Sequence, residues 1–96
     1  MVDHLVFFAV REDASQEEVG DLLSSMRGLR DDVPSTIDLS VGEDFSGRSG
    51  GHTHALFARF TDRDGLREYM AHPAHQAVVE KLEATTTGRI VVDYEF

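Results

Sequence analysis

The sequence contains no cysteine and no tryptophan, and only two of its 96 residues are proline. Without cysteine no disulfide bond can form, so packing and hydrogen bonds must hold the fold. No apolar stretch approaches the roughly 20 residues that a membrane-spanning helix needs. The opening segment MVDHLVFFAV also lacks the basic leader of a signal peptide. We therefore expect a cytoplasmic protein that does not associate with membranes.

Positive charge is also scarce. Nine Lys and Arg residues stand against 18 Asp and Glu residues, which gives a formal net charge of −9. A surface of this sign repels the phosphates of nucleic acid, so nucleic-acid binding is not expected. The length suits one domain over residues 1–96, and a domain of this size buries only a modest fraction of its chain surface. Association into an oligomer is therefore an expected source of stability.

Four segments have the β-branched and aromatic composition of strands. The runs at 2–10 and 52–60 carry apolar residues on both alternating faces, so both faces of these strands must be covered. Apolar and polar residues alternate over 36–41, which indicates an edge strand with one solvated face. The last strand is the closing run RIVVDYEF, and Gly88 is expected to end the connection before it.

Two helical regions are predicted between these strands. In the first, Ser15 and Glu18 form a capping box, and apolar residues then recur at helical spacing until the chain reaches Pro34. The second is expected to be broken, as helices over 62–71 and 73–84.

Two sets of residues mark the ends of these two pieces. Thr61 and Asp64 are expected to cap the first piece. Pro73 suits the first position of the second piece, where its missing N–H costs nothing. His72 resembles the cap of that helix, which leaves only His75 of the two histidines pointing inward.

The order βαββαβ predicts an α+β, ferredoxin-like protomer, with an antiparallel sheet and both helical regions on one face. The opposite face of the sheet is left without cover. A contiguous apolar patch of that size is rare on a monomer, so we expect a homodimer in which a second sheet covers it. The residues expected at this interface are Leu5, Phe7, Ala55, Phe57, Ile90 and Val92.

Polar side chains are predicted to converge between the sheet and the helices. We expect the first and third strands to run parallel, so that His4 and His54 lie at the same end of the sheet. The last strand brings Asp93 to that end, and the broken helix carries Tyr69, His72 and His75 toward it. Each residue alone is typical of a hydrogen-bonded core group. Their number at one place favours a site.

A metal site is the alternative use of these histidines, because His52-x-His54 places two imidazoles on one strand face. The spacing His72-x-x-His75 spans a helix start and lacks the usual i, i+4 pair of ligands, so no metal is expected. The sequence has no nucleophile motif, dinucleotide-binding glycine motif or phosphate-binding loop. The remaining possibilities are a reaction that needs no cofactor and the binding of a ligand without catalysis.

Four short motifs carry a family resemblance, namely DHLV at 3–6, GHTH at 51–54, YMAHPAH at 69–75 and VDY at 92–94. Together they closely resemble the stress-responsive dimeric α/β-barrel (Dabb) family over essentially the whole chain. The helix motif Tyr-x-x-His-Pro-x-His is the specific part. The resemblance implies a ferredoxin-like protomer that dimerises through its sheets into a barrel.

The family includes a plant enzyme that closes a linear polyketide by an aldol condensation without a cofactor. The resemblance implies that its catalytic tyrosine and histidine match Tyr69 and His75, with supporting groups that match His4, His54 and Asp93. In such chemistry His75 would take an acidic proton flanked by carbonyls, and Tyr69 would donate to the developing enolate or alkoxide. Asp93 or His54 would fix the imidazole tautomer.

An apolar ligand pocket is expected between the sheet and the helices. The family cyclase has large aromatic residues on the first helix, where this chain has aliphatic residues, and the usual family motif GYTH is GHTH in this chain. A pocket of different shape, and hence a different substrate, is therefore expected. The residues expected to line it are Val6, Phe8, Leu22, Leu23, Met26, Leu56, His72 and Val91.

Two functions stay open on the sequence. The first is a cofactor-independent cyclase or related lyase that acts on a polyketide-like molecule, or on another molecule with a polar head and an apolar body. The second is a non-catalytic protein that binds a small molecule or protects under stress. A cofactor-free monooxygenase on the related dimeric barrel is a third class, for which the chain has no distinctive residue.

Overall fold

The computed structural model describes all 96 residues, from Met1 to Phe96. The chain forms β1 (Val2–Val10), α1 (Gln16–Asp32), β2 (Asp38–Glu43), β3 (His54–Phe60), α2 (Arg63–Ala71), α3 (Pro73–Thr85) and β4 (Thr86–Glu95). This order, with four strands in one sheet, is the ferredoxin-like βαββαβ fold that the sequence predicted. No helix is both long enough and apolar enough to cross a membrane.

The first helix begins and ends where its capping residues predicted. The Ser15 hydroxyl accepts a hydrogen bond from the Glu18 N–H at 3.0 Å, and the Glu18 carboxylate accepts one from the Ser15 N–H at 3.3 Å. The last helical residue is Asp32, and Val33 is the C-terminal cap immediately before Pro34. The predicted capping box is therefore confirmed.

The second helical region is broken at His72, as expected. The His72 Nδ1 accepts a hydrogen bond from the Ala74 N–H at 3.0 Å, and Pro73 occupies the first position of α3. The start of α2 differs from the prediction. Asp62 is the cap, and its carboxylate accepts a hydrogen bond from the Gly65 N–H at 2.9 Å, so that the helix begins one residue later than Thr61 would have placed it.

The strands lie in the order β2-β3-β1-β4, and every neighbouring pair is antiparallel. The prediction that β1 and β3 run parallel was therefore wrong. The crossover through α1 makes β2 parallel to β1, and the short connector after β2 reverses the chain. The strand that enters between them, β3, must then oppose both of its neighbours. Leu39 is buried and Ser40 is exposed on β2, as predicted for an edge strand.

The end of the chain also departs from one expectation. Gly88 does not end the connection after the second helical region, because it lies within β4, opposite Ala9. Helix α3 ends at Thr85 and β4 begins at the next residue, with no intervening loop. The Thr86 hydroxyl donates to the Leu82 carbonyl at 2.6 Å and ties the start of the strand to the last helical turn.

The two faces of the sheet differ in cover. Between the sheet and the helices, 13 buried residues form one continuous apolar core. The other face has no cover within the chain, and Phe7, Ile90 and Val92 are 38%, 50% and 44% exposed. Leu5 and Phe57 on the same face are partly buried, and Ala55 is exposed. The apolar open face that the alternation predicted is thus present.

Candidate active site

A continuous chain of side-chain contacts runs between the sheet and the helices. The ring centroids of Tyr69 and His75 are 4.6 Å apart, and those of Tyr69 and His4 are 5.7 Å apart. The His4 Nδ1 lies 2.5 Å from a carboxylate oxygen of Asp93. The structure therefore brings together four of the five residues that the sequence predicted as catalytic.

Three features of the fold place these side chains. Tyr69 lies near the end of α2 and His75 lies in the first turn of α3, so the break between the two helices turns both rings toward each other. His4 and Asp93 are direct partners in the antiparallel register of β1 and β4. Phe60 packs against Tyr69 with ring centroids 4.9 Å apart and holds it above the sheet.

Burial changes along this chain of contacts. Tyr69 is only 1% exposed, and the His4 side chain is 3% exposed. The Asp93 side chain is 43% exposed, so the chain of side-chain contacts reaches the protein surface at this residue. There it lines a groove of about 450 Å³ between α2 and the end of β4. The other residues that line the groove are Val2, Arg63, Leu66, Arg67, Met70, Tyr94 and Glu95.

Burial moves the pKa values of Tyr69 and His75 in opposite directions. Loss of solvent raises the pKa of the Tyr69 hydroxyl, so this phenol keeps its proton over a wider pH range than an exposed tyrosine. Loss of solvent, followed by repulsion from His4, lowers the pKa of His75, and a hydrogen bond to the Met70 backbone opposes the shift in part. The buried Nδ1 of His75 has no hydrogen-bond partner. A neutral imidazole with a free nitrogen thus lies beside a protonated phenol.

The fifth predicted catalytic residue, His54, lies elsewhere. It is opposite Phe8 in the register, whereas His4 is opposite Ala58, and four strand residues separate the two rows by about 13 Å. The His54 ring stacks on Phe8 with centroids 5.3 Å apart, and its Nδ1 is 2.7 Å from the Thr53 hydroxyl. The expectation that His54 joins His4 was wrong, because it depended on a parallel arrangement of β1 and β3.

The predicted pocket is largely filled. Aliphatic and aromatic side chains at these positions pack against one another in the core, so they occupy the space that they were expected to line. Of the other two predicted residues, His72 caps α3, and Val91 is 47% exposed on the helix-facing side of β4. The pocket residues now found in or against the core are Val6, Phe8, Leu22, Leu23, Met26 and Leu56.

Sequence reasoning missed a polar network on the open face. Asp3 accepts hydrogen bonds from the Arg59 Nε and Nη2 atoms at 2.7 and 2.9 Å, and from the Tyr94 hydroxyl at 3.1 Å. The Arg59 guanidinium holds the pKa of Asp3 below its usual range. The antiparallel register of β1 and β3, in which Asp3 is opposite Arg59, was the signal that could have found this pair.

The groove was also missed, although its helical wall has a readable spacing. Arg63, Leu66, Arg67 and Met70 recur at i, i+3, i+4 and i+7, so they form one stripe along α2. No group of three or more His, Asp or Glu side chains is arranged to hold a metal ion. His52, one of the histidines considered as a metal ligand, lies with its Nδ1 2.8 Å from the Ser49 carbonyl.

Comparison with known proteins places this architecture in a family. The model of the stress responsive A/B barrel domain, Dabb, matches residues 2–96. The chain belongs to this family. Olivetolic acid cyclase of Cannabis sativa is 20% identical over 95 residues, which are 97% of this chain and 94% of the cyclase. The stress-response A/B barrel protein HS1 of Arabidopsis thaliana is 24% identical over 98% of this chain and 88% of its own length.

Solved structures agree with the fold. A hydroxynitrile lyase from Passiflora edulis superposes with a TM-score of 0.89 at 20% identity, over 97% of this chain and 90% of the lyase. A dimeric ferredoxin-like protein from Thermobifida fusca superposes with a TM-score of 0.86 at 21% identity, over 99% of this chain and 90% of its own. At these identities the structural likeness shows the fold alone.

Acidification is predicted to destabilise the protein. The pKa values of His75 and His54 are lowered in the folded state, so the unfolded chain binds more protons once the pH falls below about 6.5. The free energy of unfolding should therefore decrease from pH 6.5 downward until the lowered pKa values are passed. Urea unfolding between pH 8 and pH 5, at fixed protein concentration, measures this.

The matched variants are His75→Gln and His52→Gln. The first should flatten the decrease between pH 6.5 and pH 5, since it removes one of the two groups responsible. The second changes a histidine outside the cluster and should leave the profile as it is. A His75→Gln profile that follows the parent at every pH contradicts the assignment of this pKa shift to His75.

Proposed function

We propose that the protein is a cofactor-independent cyclase or lyase that carries out aldol-type carbon–carbon chemistry, with Tyr69 and His75 as catalytic residues. The observation that carries the proposal is the 4.6 Å contact of these two rings, beside a buried His75 Nδ1 without a partner. The relationship to olivetolic acid cyclase over nearly the full length of both chains supports it.

His75 is the general base in this proposal. Its lowered pKa keeps the imidazole neutral at pH 7, and the buried Nδ1 has no hydrogen-bond partner, so its lone pair is free in the tautomer that carries the proton on Nε2. Nδ1 removes a proton from a substrate carbon that lies between two carbonyl groups. The electron pair of the broken C–H bond becomes an enolate, and the imidazole becomes an imidazolium.

Tyr69 is the proton donor. The enolate carbon attacks a second carbonyl carbon of the same molecule, a C–C bond forms, and the attacked oxygen becomes an alkoxide. The Tyr69 hydroxyl, which is protonated at neutral pH, gives a proton to this more basic alkoxide oxygen and recovers one from the His75 imidazolium. One C–H bond is broken, one C–C bond is formed and one carbonyl becomes a hydroxyl, so the step is redox-neutral and consumes no oxidant or reductant.

His4 and Asp93 are positioning residues. The Asp93 carboxylate, 2.5 Å from the His4 Nδ1, fixes the proton on that nitrogen, and the His4 ring then packs edge-on against Tyr69. Asp93 also lines the groove, which offers the substrate a route toward the buried pair. Met70 lines the groove and directly follows Tyr69, so movement of this part of α2 would open the way.

The test uses Tyr69→Phe and His75→Gln with linear tri- and tetraketide acids or their thioesters as candidate substrates. Tyr69→Phe keeps the ring and removes only the proton donor, so the fold should persist while kcat falls by roughly 10²- to 10⁴-fold. His75→Gln should lose a similar factor. Product formation is followed by mass spectrometry. His52→Gln is the control that should retain parental activity.

Two outcomes would decide against this mechanism. Turnover of the same substrate by Tyr69→Phe and His75→Gln at the parental rate contradicts both assigned roles. Loss of activity together with an altered circular dichroism spectrum attributes the effect to folding, so the spectrum of each variant is measured alongside its kinetics.

A non-catalytic stress-response role is the second candidate. It is favoured by the near-complete burial of Tyr69 and by the packed side chains that fill the predicted pocket. In that case Tyr69→Phe should support growth under stress as well as the parent protein does, whereas deletion of the whole protein should impair growth. Unchanged growth of the deletion strain under heat or osmotic stress counts against this role.

The open face supports a homodimer, which we propose as the working form. Its apolar residues lie on one surface, and a second copy of the sheet would remove them from water. The free edges of β2 and β4 are also unpaired within the chain, and closure of two sheets into a barrel would cover both. The Thermobifida fusca protein, which shares the fold, is dimeric.

Val92→Glu and Val91→Glu are a matched pair for this proposal. The two valines are adjacent in β4 and are 44% and 47% exposed, but they lie on opposite faces of the sheet. A charge at Val92 should convert the dimer into a monomer, while a charge at Val91 should leave the dimer intact. Sedimentation equilibrium measures both. Equal dissociation by the two variants, or a dimeric Val92→Glu protein, contradicts an interface on the open face.

A further inference from the structure

The connector between β2 and β3, residues 44–53, carries the most exposed apolar side chain of the protein. Phe45 is 101% exposed, so its ring is as solvated as it would be in an extended peptide. Folding of the protomer therefore gains nothing from this ring. A single exposed apolar side chain is ordinary, so Phe45 indicates a partner only where it continues the uncovered apolar face of the sheet.

Hydrogen bonds hold the connector in place around this ring. The Asp44 carboxylate accepts from the Ser46 hydroxyl at 2.7 Å and from the Gly47 N–H at 3.0 Å, and the Asp44 N–H donates to the Thr53 carbonyl at 2.8 Å. Gly47 has a φ of 70°, which suits glycine and closes this turn. The backbone on both sides of Phe45 is thus fixed, and the ring is presented rather than free to collapse onto the sheet.

A notch lies beside the ring. Phe45, Phe7, His52 and Ala55 are among the residues around a cavity of about 570 Å³ between the connector and the sheet. Phe7 and Ala55 also belong to the open face, so the notch continues that face toward the end of the sheet. We call the cavity and Phe45 together the connector notch.

Charged groups at the connector notch have both signs. Glu43, Asp44 and Arg48 all line it, in a protein whose formal net charge is −9. Two copies of an acidic protein repel each other unless opposite charges meet across their contact surface. A two-fold contact pairs each group of one copy with a group of the same interface on the other copy, so an interface that carries both signs supplies attractive pairs.

We propose that the connector notch anchors a second copy of this chain, with Phe45 as the principal contact. The inference rests on the homodimer proposed above and extends its interface from the sheet to the connector. Most of the binding energy of an interface comes from a few aromatic or arginine side chains in pockets that exclude water. A ring on a backbone that is already fixed loses less conformational entropy when it binds, because only its own side-chain rotamers have to be ordered.

The decisive variant is Phe45→Ser. Because the ring is fully exposed in the protomer, its removal should leave the circular dichroism spectrum unchanged. The dissociation constant of the dimer should rise by about tenfold or more, as for other anchor residues. Met70→Ser, at an apolar residue of the helical side that is 47% exposed, is the matched control and should not change the dissociation constant. Sedimentation equilibrium over a dilution series gives both values.

Three results would overturn the inference, and they are distinguishable. A Phe45→Ser dimer as tight as the parent excludes the anchor while leaving the homodimer in place. A parent protein that is monomeric at every concentration removes the homodimer and the anchor together. Loss of bound anilinonaphthalene sulfonate in Phe45→Ser with an unchanged dissociation constant assigns the notch to a small apolar ligand. None of these results depends on Tyr69 or His75 activity.

Discussion

The register of β1 against its two neighbours is the constraint on which the other features depend. This strand is central in the sheet, and its alternation sends His4 toward the helices and Asp3 toward the open face. A slip of one residue would exchange these two positions, because side chains alternate strictly along a strand. It would remove Asp93 from His4 and Arg59 from Asp3 at once. The apolar residues of β1 resist such a slip, since Phe8 belongs to the core.

Burial gives the two rings of the candidate site opposite chemical characters. Without water, the phenol of Tyr69 keeps its proton more firmly and the imidazole of His75 holds one less firmly. This apolar environment therefore keeps both rings uncharged at neutral pH, a phenol that carries its proton beside an imidazole that can accept one, and repulsion from His4 adds to the shift at His75. The same burial limits the access of a substrate to the two rings. The chain of side-chain contacts reaches solvent only at the exposed carboxylate of Asp93.

Local patterns in the sequence predicted the elements well, because caps and periodicity are local. The capping box at Ser15 and the cap at His72 are both confirmed. The meeting of His4 and Asp93 at one end of the sheet was also predicted, since it needs only the antiparallel direction of β1 and β4. The expectation that Asp93 or His54 fixes the His75 tautomer was wrong, because the Asp93 carboxylate contacts His4 and His54 lies at the other end of the sheet. His54 was misplaced because of the expectation that β1 and β3 run parallel, although the predicted antiparallel sheet already requires these neighbouring strands to run in opposite directions.

Packing was the other feature that the sequence did not predict. Leu22 and Met26 were correctly placed on the inner face of α1, but periodicity gives only the direction of a side chain and not the volume left around it. Whether such residues line a cavity or fill it depends on how side chains from distant strands interlock. The bidentate contact of Arg59 with Asp3 was missed for a different reason, because it can be predicted only when the register of the two strands is known.

The direct junction of α3 and β4 has a mechanical consequence. Thr85 ends the helix and Thr86 begins the strand, so the chain has no slack between the element that carries His75 and the element that carries Asp93. A flexible loop would absorb a small shift of the helix. At this junction the strand must follow such a shift, because no residue lies between the two elements. The same strand presents Val92 to the uncovered side of the sheet, so the two sides of the molecule are joined through one rigid piece of backbone.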